Sequence, residues 1–153
     1  MKYTIVNEFF TNYVIIVPAV SWAVAQVMKT SIILVRDKRW DFHALLSSGG
    51  MPSSHSAVVT ALATVIALLH GVSSTSFGIA AILATIVMHD AANVRQSVGQ
   101  QAEVLNHIME KLRSNSITNL ERDLKELIGH TQFQVIIGAI IGILIAWLWI
   151  TFG

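Results

Sequence analysis

A chain of 153 residues is enough for one domain. Hydrophobic residues make up 54% and charged residues 12%, against roughly 25% charged in a soluble domain, so water is excluded as the main solvent of the fold. A net charge of +1 offers no electrostatic footprint for nucleic acid, and the lack of cysteine excludes disulfides and thiolate metal sites.

In chain order, Met1–Glu8 has neither a basic n-region nor a cleavage site and does not read as a removable signal peptide. Asp, Glu, Lys and Arg are absent from residues 9–28, 42–89 and 127–153. A bilayer-spanning helix takes about 20 mostly apolar residues. The first gap therefore predicts a span at roughly 10–34, with Pro18 as a candidate kink. The second holds two spans, roughly 53–70 and 75–94, divided at the turn-like His70-Gly71-Val72-Ser73-Ser74-Thr75-Ser76. The last predicts a span at roughly 131–151 that ends in the interfacial Trp147 and Trp149. Gly138 and Gly142 form a GxxxG within it, suited to close helix packing or merely to relief of crowding.

Residues 96–128 are polar. They read as a helical extension of the third span, a turn near Ser114-Asn115-Ser116, and an amphipathic surface helix whose apolar face is Ile117, Leu120, Leu124 and Leu127. The expected fold is an all-α polytopic membrane bundle. It has about four transmembrane helices and a cytoplasmic amphipathic helix, in a single domain over residues 1–153.

Four spans put Lys29, Arg36, Lys38, Arg39, Arg95, Lys111, Arg113, Arg122 and Lys125 on one side and Lys2 alone on the other. The positive-inside rule makes the basic side cytoplasmic.

Four polar pieces fall on that side. Gly49-Gly50-Met51-Pro52-Ser53-Ser54-His55-Ser56 enters the second span. Pro52 suits a first helical turn, the helix start favours an anion, Ser53 and Ser54 add hydroxyl donors, and His55 can transfer a proton. Taken alone, the stretch reads equally well as a serine N-cap beside a buried histidine. Lys29 and Arg36, seven apart, share a helix face; snorkelling to headgroups is the alternative, stronger for Arg36 than for the deeper Lys29.

His130 and Gln134 open the last span four residues apart, so the Gln134 carbonyl can hold the His130 ring in one tautomer. Asp90 closes the long charge-free stretch and can pair with Arg95 or with the other pieces. Asp90, Glu103 and Asn106 are also candidate oxygen ligands for Mg2+. The convergence of histidines, cations and a helix start on one side points to phosphoryl chemistry.

At these residues the sequence resembles the divergent PAP2 family, related to type-2 phosphatidic acid phosphatases and vanadium haloperoxidases. Lys29 and Arg36 match the superfamily's K-x6-R, with Asp37 where proline is usual. Pro52-Ser53-Ser54-His55 matches PSGH, with Ser54 for glycine, and His130 matches the last histidine of SR-x5-H-x3-D, with Gln134 for its aspartate. The SR is missing, since Leu124 stands six residues before His130. The divergent family's own GGMPSSHSA, D-A-x-x-V-R and GHT all occur in order.

The resemblance implies a membrane phosphatase acting on a lipid phosphate or pyrophosphate without metal or other cofactor. His130 would be the nucleophile and His55 the acid and base. Lys29, Arg36, Ser53, Ser54 and Arg95 would bind phosphate, with Gln134 and Asp90 orienting. The neutral Gln134 and the missing arginine leave two alternatives: a non-catalytic relative that binds or moves a phospholipid, and a Mg2+-dependent enzyme centred on Asp90. The setting implied is a bacterial plasma membrane with the site facing the cytoplasm. Four spans are fewer than the superfamily's usual six, so the remaining helices are either missing or supplied by another subunit, as in a homo-oligomer.

Overall fold

The computed structural model describes residues 2–38, 50–114 and 131–153. All the regular structure among them is helical: α1 (Lys2–Thr11), α2 (Tyr13–Asp37), α3 (Ser54–His70), α4 (Thr75–His89), a π-helical turn (Asp90–Val94), α5 (Arg95–Ser114) and α6 (Gln132–Phe152).

The first span starts later than its charge gap suggests. Asn12 adopts an extended backbone, and its side chain accepts the Val14 N–H at 2.9 Å. This is an N-cap, and it separates α1 from α2. The helix then runs through Pro18 to Asp37. Ser74 caps α4 in the same way, accepting the Phe77 N–H at 3.2 Å. The predicted third span loses its α-helical form at Asp90, where the chain widens into the π turn before α5 carries it on to Ser114. The amphipathic helix expected at 117–127 lies outside the described residues.

Among the described residues, three stretches are long and apolar enough to cross a membrane: Tyr13–Arg36, Thr75–Lys111 and Gln132–Phe152. The predicted span at 53–70 is a shorter helix of 17 residues, about 26 Å at 1.5 Å per residue. It packs against α2, α4 and α6 and so forms the centre of the bundle.

Small side chains make that centre tight. Val17, Ala61, Val65 and Ala146 form one fully buried cluster joining α2, α3 and α6. Large apolar groups point the other way: Ile79, Ile82 and Ile86 of α4 and Ile136, Ile140 and Leu144 of α6 are exposed. Small residues inside and branched ones outside are the pattern of helices packed in lipid, where close backbone approach replaces hydrophobic burial. The chain is thus a helical membrane bundle.

Candidate functional site

The start of α3 is built by three serines. Ser53 is the N-cap, and its hydroxyl accepts from the Ser56 N–H at 3.4 Å and from the Ser56 hydroxyl at 3.0 Å. Ser53, Ser54 and Ser56 are all buried. Pro52, expected in the first helical turn, instead precedes the cap and is buried there. The cap falls to Ser53 because a hydroxyl, unlike proline, can satisfy an N–H of the first turn. His55 follows Ser54 in that turn; it is half-buried, with its Nδ1 inside the protein.

The first turn of α6 is fastened to this cap. The Ser53 N–H donates to the Gln134 backbone carbonyl at 3.1 Å. About two turns further along α3, the Thr60 hydroxyl donates to the Ala139 carbonyl at 3.1 Å. Gly138 and Gly142 make this approach possible. A Cβ at Gly138 would run into the Ser53 carbonyl, and one at Gly142 into the Ala57 carbonyl and the Thr60 hydroxyl. Of the two readings of the GxxxG, the geometry supports close helix packing.

Gln134 also closes a capping box. Its side-chain carbonyl accepts the Thr131 N–H at 3.2 Å, while the Thr131 hydroxyl accepts the Gln134 N–H at 3.4 Å. The reciprocal pair satisfies two donors that a helix start otherwise leaves open. His130, for which Gln134 was the expected partner, lies outside the described residues, as does Gly49.

Lys29 is 1% exposed. Its aliphatic stem lies over Gly50, where a Cβ would fall 3.0 Å from the lysine Cδ and 3.3 Å from Cγ. Gly50 has φ +96°, a conformation that glycine adopts without steric cost. The loop residue before the cap therefore folds directly onto the lysine. Arg36 is different: it sits two turns further along α2, in the last turn, and is exposed. The structure thus brings Lys29 against Gly50, three residues before the Ser53 cap, and leaves Arg36 exposed two turns further along α2.

The π turn reaches the same end of the bundle. Ala91 and Ala92 pack on Val135, next to Gln134. Asp90 opens the turn and is half-buried, the Asn93 amide donates to the His89 carbonyl at 3.2 Å, and Arg95 begins α5. Single π turns inside α-helices recur at functional sites.

The proposed Mg2+ ligand set is not assembled by this geometry. Asp90 lies on a helical stretch that continues into α5, which bears Glu103 and Asn106. At 1.5 Å per residue, Glu103 is about 20 Å further along the axis and Asn106 about 24 Å, far beyond the 2.3–2.6 Å or less of a shared cation. Among the described residues, no three His, Asp or Glu side chains meet as a metal site.

Several interior polar residues had no place in the sequence reading: Ser21, Gln26 and Thr60. Their signal was present, since a hydrogen-bonding side chain in a charge-free span is a functional hint when it faces the interior. The direction it faces becomes known only once the helices are packed.

Comparison with known proteins accords with the motifs. A model of the divergent PAP2 family matches residues 10–145. The uncharacterized membrane protein YuiD of Bacillus subtilis (strain 168) is 39% identical over 150 residues, covering 90% of this chain and 94% of that protein. No solved structure matches the chain significantly.

Proposed function

The chain belongs to the divergent PAP2 family, and from that membership we propose that it is a membrane phosphatase acting on a lipid phosphate or pyrophosphate. The observation that carries this reading is the joining of two motifs: the Ser53 cap of α3 is hydrogen-bonded to the first turn of α6 and lies beside the loop that covers Lys29. A buried cation, buried hydroxyls and a helix N-terminus suit the equatorial oxygens of a phosphoryl group.

In the proposed reaction a ring nitrogen of His130 forms a bond to phosphorus as the bond to the leaving oxygen breaks. His55 gives that oxygen its proton. Water then loses a proton to His55 and attacks the phosphohistidine, the P–N bond breaks, and inorganic phosphate leaves. Lys29, Ser53 and Ser54 hold the transferring group, with Arg36 and Arg95 at its edge, and Gln134 and Asp90 orient the histidines. No metal takes part. Residues 1–153 act as one membrane domain, and a homo-oligomer of this short bundle completes the enclosure.

The concentration of basic residues on this side supports a site facing the cytoplasm, and the bacterial relative supports a bacterial plasma membrane as its setting. The test is lipid-phosphate hydrolysis by purified wild type beside His55→Ala and His130→Ala. Both variants should lose at least about a hundredfold in turnover, the range of general acid–base contributions. Full turnover by His130→Ala sinks the phosphohistidine route.

One observation favours a second reading, a non-catalytic phospholipid-binding protein. Gln134 stands where the superfamily has a carboxylate, and its side-chain carbonyl serves as a helix cap. A neutral amide stabilises an imidazolium less than a carboxylate does. Phosphate-dependent lipid binding without turnover across a broad substrate panel would establish this reading.

A further inference from the structure

Ser56 has no role in the reaction above. It is fully buried in the first turn of α3, three residues after the Ser53 cap. A capping box would place Glu or Gln there, reaching back to the N–H of the cap residue. In α3 that N–H goes to the Gln134 carbonyl of α6 instead. The Ser56 hydroxyl turns to the Ser53 oxygen, donating to it at 3.0 Å, and the Ser56 N–H donates to the same oxygen at 3.4 Å.

Packing alone does not account for a hydroxyl here. Elsewhere α3 fills its interior face with Ala57, Ala61 and Val65. The residue is also held firmly, since its carbonyl accepts the Thr60 hydroxyl at 2.8 Å and that hydroxyl reaches the Ala139 carbonyl of α6. A serine oxygen has two lone pairs and one proton. Ser56 occupies both lone pairs of Ser53, and among the described residues no acceptor takes the Ser53 proton. A buried donor left in that state calls for an acceptor.

We infer that Ser56 is a positioning residue of the anion site, its hydroxyl and N–H filling the acceptor positions of Ser53 so that the Ser53 O–H can only donate. Hydrogen bonds in a chain polarise one another, so accepting from Ser56 also makes Ser53 the stronger donor. The oxygens of a phosphoryl group are acceptors, and the pair is set for them before the anion arrives. The inference rests on the phosphate site proposed above and assigns Ser56 to orientation rather than to direct contact.

The test is a double-mutant cycle on the full-length chain in phosphatidylcholine nanodiscs, with orthovanadate as the phosphate mimic and its affinity read by calorimetry. Ser56→Ala removes the hydroxyl and keeps the Cβ that packs near Gly138. It should weaken vanadate binding about fivefold, the worth of one neutral hydrogen bond. Its melting temperature should stay at the wild-type value, because alanine is the better helix former. Ser53→Ala should weaken binding further, and the double variant should bind no more weakly than Ser53→Ala alone. A residue acting only through Ser53 gives such non-additivity; an independent packing residue gives additive losses.

Ser56→Cys, whose thiol is a weak donor, provides the same measurement if Ser56→Ala does not fold. Wild-type affinity in the Ser56 variants, additive losses in the cycle, or an affinity loss that only tracks a lowered melting temperature overturns the inference while leaving the phosphate site standing. Wild type that binds no vanadate overturns the phosphate site and this inference with it.

Discussion

The Lys29 side chain lies against Gly50, so close that a Cβ on the glycine would sit 3.0 Å from the lysine Cδ. The contact joins a transmembrane helix to the loop that leads into α3. It turns two motifs separated in sequence into one site. It also makes the glycine a determinant of where the lysine rests.

Gly50→Ala therefore acts twice. Its φ of +96° costs an L-residue about 1–2 kcal/mol, and the new methyl displaces the flexible lysine stem. The expected outcome is a modest loss of thermal stability in detergent and a larger loss of vanadate affinity, about tenfold or more. An alanine variant with unchanged affinity would show that the Lys29–Gly50 contact does not set the site.

Gly138→Ala should damage stability and site together. Its methyl would meet the Ser53 carbonyl, and forcing extra carbon into a packed interface costs about 1–3 kcal/mol. Separating α6 from α3 also weakens the Ser53–Gln134 hydrogen bond. Gly78→Ala is the control, since a Cβ there has no neighbour within 4 Å, and its melting temperature should stay at the wild-type value.

Thr131→Ala removes the cap of α6 and should cost about 1 kcal/mol, while Thr131→Ser keeps the hydroxyl and should melt like wild type. Gln134→Asp tests the chemistry instead. A carboxylate is favourable in a first helical turn and stabilises an imidazolium better than an amide. Phosphatase turnover should rise about tenfold or more with this variant. A fall would mean that the amide is specifically required.

Chelation separates the metal-free route from the Mg2+ reading. EDTA should leave lipid-phosphate turnover within about twofold of its untreated value, because His130 and not a metal-bound water attacks phosphorus. Loss of activity in EDTA with recovery in Mg2+ would require a ligand set other than Asp90, Glu103 and Asn106, which span about 24 Å of helix.

The one-sided gathering of Lys29, the Ser53 turn, Asp90 and the start of α6 was legible early, because alternating spans leave little choice of side. Ser53 as a cap was legible too, since serine before an apolar helical run has a physical role. The misplacement of Pro52 shows the limit of that logic. Proline and serine both suit a helix start, and only the hydrogen bond from the Ser56 N–H identifies the cap. Gln134 was assigned to His130 by i, i+4 spacing, and its hydrogen bond to Thr131 came from the equally local capping box.

By itself the sequence determined the solvent, the number of apolar segments, the side on which the polar pieces lie and the family motifs. These follow from average hydropathy, charge position and short spacings, all of which are local. Only the tertiary structure decided that Lys29 meets Gly50, that Gly138 admits the Ser53 backbone, and that Gln26 faces inward. Each depends on how far a helix is rotated about its axis, and a step of one residue turns a side chain by about 100°. Hydropathy averaged over a span cannot record that rotation; the packing of small residues against the neighbouring helix sets it.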